Sequence, residues 1–199
     1  LVVDGSVTTM PCGDAVGSVV SLVLPGAGRT IMISELVARG YADTQPPAPP
    51  PLLSPRLPPP SPAPLAIAAP LDALRASMSS VYSDSIYQPS MRIDGVTAND
   101  DSGINICLSG VAMENPWLAV TLSARSVVRE VVVYGRSDCC NDLLQDFEVW
   151  VGDTVGAPSS SDGWYRCGRI TDTLPKVASV TTVPCGDAQG SVVALRLPG

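Results

Sequence analysis

Residues 117–153 read WLAVTLSARSVVREVVVYGRSDCCNDLLQDFEVWVGD. Within them, 117–122, 127–134 and 146–151 are short, alternating or β-branched segments, and 191–197 has the same character. Gly, Asp, Asn and Pro bound these segments, as turns between strands do. The rest of the chain is rich in Val, Ser, Gly and Thr, has a single Phe and shows no long amphipathic helical pattern. The expected fold is therefore all-β, an antiparallel β-sandwich of the jelly-roll kind.

The sandwich does not fill the chain. About one residue in ten is proline, and many of these fall between Gln45 and Pro70, so the 199 residues hold at most one compact domain. Residues 45–64, QPPAPPPLLSPRLPPPSPAP, favour polyproline II, because each Pro fixes φ and removes a backbone donor. This linker, set at 44–70, is expected to act as an extended spacer, the alternative being a disordered tether. In composition it resembles the hydroxyproline-rich glycoproteins of green algal walls and surfaces, including the pherophorins. That resemblance implies covalent O-glycans at Pro46, Pro47, Pro49, Pro50, Pro51, Pro58, Pro59, Pro60, Ser61 and Pro62. The chain has no Asn-x-Ser/Thr acceptor for N-linked glycans.

Charge and residue types exclude several functions. A net charge of -7 without a basic cluster argues against nucleic acid as a partner. No apolar stretch approaches the roughly 20 residues of a spanning helix, and the chain opens in mid-pattern at Leu1, so any export signal is expected upstream. There is no His, the usual general base near neutral pH, which excludes Ser-His and Cys-His catalysis within this chain. The six Cys match no zinc-knuckle spacing, and adjacent Cys139 and Cys140 do not easily share one tetrahedral ion. Disulfides in an oxidising compartment are the better reading, and the protein is then expected to be secreted and extracellular, at a surface, wall or appendage; it is expected not to be an enzyme.

A repeat runs through the chain. Residues 1–26, LVVDGSVTTMPCGDAVGSVVSLVLPG, align without a gap on residues 174–199, LPKVASVTTVPCGDAQGSVVALRLPG. About two-thirds of the positions are identical, including a TT-x-PCGDA-x-GSVV core. The offset is read as the period of a tandem repeat. Residues 1–43 then supply the last strands of one lectin-like copy, 44–70 the linker, and 71–199 most of the next copy. Residues 27–41 alternate as a final strand should and have no counterpart after Gly199, so 71–199 is expected to lack its last strand. Because 1–26 and 174–199 would occupy the same place in a domain, 1–41 are expected not to fold back onto 71–199. Completion by chain continuity or by another copy of the protein, head to tail, follows.

The order of motifs resembles the F-type lectins, or fucolectins: Asp94-Gly95, a Cys before Asn115-Pro116-Trp117, then Arg136-Ser137-Asp138-Cys139-Cys140, a later Cys pair and a closing Leu-Pro-Gly. The resemblance covers about 78–199, with 1–40 as the tail of the preceding copy. It implies a vicinal disulfide between Cys139 and Cys140 on which the apolar face of a sugar packs, free adjacent thiols being the alternative. It also implies a bridge between Cys167 and Cys185, and pairs Cys12 with a cysteine upstream of Leu1. The partner that the family gives Cys107 falls at Ser34, leaving Cys107 as a buried thiol or an intermolecular link.

Fucose recognition in that family uses a His and two Arg. Here Ser109 stands at the His position, Arg136 is kept and Leu143 replaces the second Arg. A charge-assisted donor is worth about 1.5–3 kcal/mol, against only about 4 kcal/mol for millimolar binding, so the implied sugar site of Ser109, Arg136, Cys139 and Cys140 is weak and degenerate. Arg136 also has a structural reading as the partner of Asp138. The resemblance further implies a structural calcium near Asp94 and Glu35, although Val96 replaces an Asn of the family pattern.

Other candidates read more simply. Asn99, Asp100 and Asp101 lack the spacing of a calcium loop and suit a solvated turn. Asp146 and Glu148, the one pair resembling glycosidase carboxylates, are expected to share the solvent face of a strand. Trp164, Tyr165 and Arg166 suit either loop packing or a sugar other than fucose. Two functions are weighed: a structural module of a repetitive extracellular glycoprotein, built into a fibre from lectin-like domains and polyproline rods, and a multivalent lectin binding fucose-like or other glycans.

Overall fold

The computed structural model describes residues 28–43, 69–83, 86–95, 106–136, 140–171 and 180–198, and adds the backbone alone for 7–9 and 16–23, as it also does for 91–92 and 141–142 within those ranges. The strands are β1 (Val7–Thr9), β2 (Val16–Val23), β3 (Met32–Ile33), β4 (Glu35–Ala42), β5 (Ala69–Pro70), β6 (Ala73–Met78), β7 (Cys107–Leu108), β8 (Trp117–Tyr134), β9 (Phe147–Gly152), β10 (Tyr165–Ile170) and β11 (Val180–Arg196). Short 3-10 turns at Pro89–Arg92, Asn141–Leu144 and Ser160–Asp162 are the only helical elements among the described residues. The protein is all-β, with an antiparallel sheet as its body.

Two long strands organise that sheet. The first part of β8 pairs with β6, Met78 opposite Leu118 and Ala73 opposite Leu122. Its second part pairs with β4, Glu35 opposite Tyr134 and Ala42 opposite Ser126. Strand β11 divides likewise: its first part pairs with β8, Val180 opposite Tyr134, and its last part with β9, Arg196 opposite Glu148. Residues 117–122 and 127–134, separate in the sequence reading, thus form one strand, because the Ser-Ala-Arg-Ser between them contains neither Gly nor Pro to break it. Strand β10 closes the edge beside β9. A two-stranded ribbon of β3 and β7 pairs Met32 with Leu108 and Ile33 with Cys107.

The halves of β8 and β11 share one core. Leu118, Val120 and Leu122 meet Val128, Val131 and Val133 of the same strand, with Phe147, Val149 and Val151 of β9 and Val193 and Leu195 of β11. Alternate residues of β9 and β11 point the other way. Trp150, Val192 and Ala194 form a second apolar layer with Ala119 and Trp164, and Trp117 packs at its margin. The period of two therefore serves two apolar layers, one on each face of this part of the sheet.

The residues common to the two sequence repeats have a local reason in β11. The register against β8 shifts between Pro184 and Ala188, and Gly186 and Asp187 both take positive φ, 59° and 61°. This bulge bends the strand from one partner to the other, and few residues other than Gly, Asn and Asp tolerate that backbone. The buried Asp187 carboxylate meets Arg129 Nε on β8 at 2.9 Å, fixing the bend to its neighbour.

Residues 28–43 do fold back, which the sequence reading did not expect. The place of a final strand beside β8 is taken by β4, and β5, made of the last two residues of the 44–70 linker, pairs with β4 through Arg39 and Pro70. The expected clash concerns only the part of the tail that duplicates β11; β4 has no duplicate. Pro70 lies on an edge strand, where its missing donor is harmless. The linker residues from Pro46 to Pro62 named above lie outside the described residues.

Candidate functional site

At one end of the sandwich, the β3–β7 ribbon carries a small apolar cluster of Met32, Ile106 and Leu108, against which Tyr87 and Cys140 pack. Tyr82 joins this end through its backbone N–H, which donates to Leu108 O at 2.9 Å. Its ring lies 5.9 Å from that of Tyr87, tilted by 57°. Cys140 has φ 69° and is disulfide-bonded; its partner lies outside the described residues, as do Cys139, Asp138 and Val96. The Arg136 guanidinium approaches Met32, Nη1 to Sδ 3.3 Å, and is only partly buried. Leu143, at the position of the second family Arg, is exposed.

Ser109 is brought to the same end but faces inward. It is fully buried; its Oγ accepts from the Ile31 N–H at 2.8 Å and donates to Gly110 O at 3.2 Å. In this arrangement the hydroxyl ties the ribbon together and reaches no surface. Arg136, Cys140 and Tyr87 are partly accessible at this end, and Tyr82 is exposed. The sequence reading missed the tyrosines, whose only signal was two aromatics in a chain with few.

The remaining cysteines are resolved differently. Cys167 and Cys185 form a disulfide that links β10 to the bend of β11, the bridge implied by the resemblance. Cys107 is a buried thiol with Sγ 3.4 Å from Met78 Sδ. Ser34, where the family places a partner for it, donates from Oγ to Gly135 O at 2.9 Å.

Glu35 and the segment beside Asp94 come together around a cavity of about 290 Å³ lined by Glu35, Asp72, Ile93 and Gly95 among others. Glu35 is buried and Asp94 exposed. Calcium takes six to eight oxygens, whereas among the described residues no group of three or more His, Cys, Asp or Glu side chains is placed to hold a metal. Among the described residues these side-chain types alone do not complete such a site.

The expectation for Glu148 needs correction. It does not face solvent: it is buried beneath the second apolar layer, accepting from Trp150 Nε1 at 3.1 Å and from Arg166 Nη1 at 3.1 Å. Trp150 and Arg166 hold it there, and further along the outer face of β9 the Trp164 indole packs so closely that a Cβ on Gly152 would lie 2.6 Å from the ring. Trp164 is therefore a packing residue, and Arg166 lies over the Trp150 ring at 5.9 Å. Asp146 is bound by Arg169. Residues 99–101 lie outside the described residues.

Residues 93–195, just over half of the chain, match the family described as NedA-like, galactose-binding domain, of the F5/F8 type C kind. The chain belongs to this family. The matched span of the galactose-binding-like domain runs from the segment beside Asp94 through β7, β8, β9 and β10 to the last part of β11, and so contains both Cys140 and the Cys167–Cys185 bridge. Such domains are generally non-enzymatic and carbohydrate-binding. No curated protein and no solved structure matches the chain. No helix among the described residues is long and apolar enough to cross a membrane.

Proposed function

We propose that the protein is a non-catalytic carbohydrate-binding module of an extracellular protein, and that it binds sugar at the end of the sandwich marked by Cys140. The observation that carries this reading is the meeting of three groups there: the tilted Tyr82–Tyr87 pair, the disulfide-bonded Cys140 and the Arg136 guanidinium. A pyranose has an apolar C–H face suited to aromatic and disulfide surfaces, and hydroxyls suited to a guanidinium. Family membership supports a sugar as ligand, and the Cys167–Cys185 bridge suits an oxidising compartment.

The finer reading is an F-type-lectin-like site in which Cys139 is the partner of Cys140. With Ser109 turned inward and Leu143 in place of an Arg, a single Arg is left to orient hydroxyls. Binding at one site is then weak, in the millimolar range or about 4 kcal/mol, and useful affinity comes from several copies acting together. Calcium near Glu35 and Asp94, and O-glycans on the proline-rich linker, belong to the same reading.

The test is titration of the folded chain with galactose, fucose and a glycan panel, followed by NMR or calorimetry. Saturable binding that Arg136→Ala and Tyr87→Ala each weaken at least tenfold, with circular dichroism unchanged, supports the site. Binding unaffected by either substitution places the ligand elsewhere.

A further inference from the structure

The segment around β3 reaches the candidate sugar site with alternate residues. Ile31 and Ile33 turn into the main core, both fully buried, so Met32 and Ser34 turn the other way. Both meet the chain around Arg136. Ser34 donates from its backbone N–H to Tyr134 O at 2.7 Å and from Oγ to Gly135 O at 2.9 Å, which fixes the main chain just before Arg136. Two residues earlier, the Met32 thioether meets the Arg136 side chain itself, which donates from Nη1 to Sδ at 3.3 Å. The segment is anchored from its other end by a mutual pair of bonds, Ile31 N–H to Ser109 Oγ at 2.8 Å and Ser109 N–H to Ile31 O at 2.9 Å.

We propose that Met32 is the positioning residue of the sugar site, holding the Arg136 guanidinium in its binding direction before any ligand arrives; this rests on the reading that Arg136 binds sugar. At 7% exposure, Met32 lies too deep to bind a pyranose itself. It belongs, however, to the small cluster on which Tyr87 and Cys140 pack. The same side chain therefore lies beneath the apolar part of the site and beside its cation, and sets one against the other.

The chemistry of the thioether suits this task. Methionine is unbranched and polarizable, so it fills an irregular gap, and its sulfur is a weak acceptor that competes little with a sugar hydroxyl for the guanidinium. Arginine carries several rotatable bonds, and fixing them in the free protein removes an ordering cost from binding. With Leu143 exposed in place of a second Arg, the direction of the Arg136 guanidinium decides which hydroxyls are met. Leucine has nearly the volume of methionine and keeps such a cluster packed, but it offers no acceptor. Met32→Leu thus separates packing from aim.

The experiment titrates the full chain with galactose and with fucose by NMR, as wild type, Met32→Leu, Arg136→Ala and the double variant. Nitrogen-15 relaxation of the Arg136 Nε–H is measured alongside, without sugar. Met32→Leu should weaken binding by about fivefold or more in the wild-type background and by less than about twofold beside Arg136→Ala, because a residue that acts through another adds nothing once the other is gone. The Arg136 Nε–H, ordered in the wild type, should become mobile in Met32→Leu. Equal weakening in both backgrounds would overturn the proposal and assign the effect of Met32 to the packing of Tyr87 and Cys140. An Arg136 side chain that stays ordered in Met32→Leu would overturn it too, whether or not sugar binds. Loss of that order in a chain that binds neither sugar supports the positioning contact and refutes the sugar site, so the two readings fail separately.

Discussion

Arg169 grips Asp146 with two parallel hydrogen bonds, Nε to Oδ1 at 2.6 Å and Nη2 to Oδ2 at 2.8 Å. The pair fastens the edge strand β10 to the residue before β9, where Asp146 holds φ at 54° and the chain turns inward to fully buried Phe147. The hydrogen bond from Arg169 keeps the Asp146 carboxyl below the usual carboxylate range, against a smaller opposing effect of burial. Since the folded-state pKa is depressed, the pair stabilises fully above the unfolded value of about 3.9 and is lost as pH falls through the folded value. Asp146→Asn tests this cleanly, because Asn tolerates positive φ. Urea midpoints should show a loss of about 1 kcal/mol or less at neutral pH, given the pair's exposure. Below about pH 4 the gap between wild type and variant should shrink.

Gly40 stands at the register shift of β4 against β8, and a Cβ there would lie 1.8 Å from the Val127 carbonyl oxygen. The obstacle is backbone and cannot rotate away. Gly40→Ala should therefore destabilise the protein by about 3 kcal/mol, at the upper end of overpacking costs, measured as a lowered melting temperature. An unchanged melting temperature would mean that β4 does not occupy this edge in solution.

Much of this fold was legible in the sequence, and the failures share a cause. Segments rich in β-branched and apolar residues, such as 127–134 and 191–197, declared themselves as strands through composition and the turn residues that bound them. Strand β9 read as a half-exposed strand because its outward positions include Glu148 and Trp150, and nothing local reveals that Arg166 binds the first and Trp164 packs with the second. The same holds for Ser109, whose inward turn depends on Ile31, 78 residues away. The Cys167–Cys185 bridge followed from the motif resemblance, whereas the bulge of β11 beside Cys185 depends on its pairing with β8 and was not read from the sequence. Cys140 and Arg136 were found by motif, whereas Tyr82 reaches the same end through a backbone bond to Leu108, and Tyr87 by packing on the small apolar cluster, neither of which a sequence period announces.

The Cys167–Cys185 bridge closes a short loop, with a sequence separation of 18, and ties the edge strand to the bend of β11. Cys167→Ser removes every disulfide available to this position and should cost about 3 kcal/mol in the chain-entropy account. Chemical denaturation of the oxidised variant and wild type measures it. A loss well below 1 kcal/mol would show that the β10 edge is held by its ladder to β9 and the Asp146–Arg169 pair alone.

The proposed calcium site predicts a ligand effect on stability. Glu35 is buried at the edge of the cavity that also includes Gly95, next to Asp94, so an ion held there would bind the folded chain and not the unfolded one. At a hundredfold excess over its dissociation constant, calcium should add about 2.7 kcal/mol to the free energy of unfolding. Magnesium, which holds its waters and demands a tighter octahedron, should not substitute. Melting temperatures with calcium, magnesium and chelator read the effect directly. Glu35→Gln should abolish the calcium increment, while Arg136→Ala, at the other candidate site, should leave it intact. An increment that survives Glu35→Gln assigns the ion to another part of the chain.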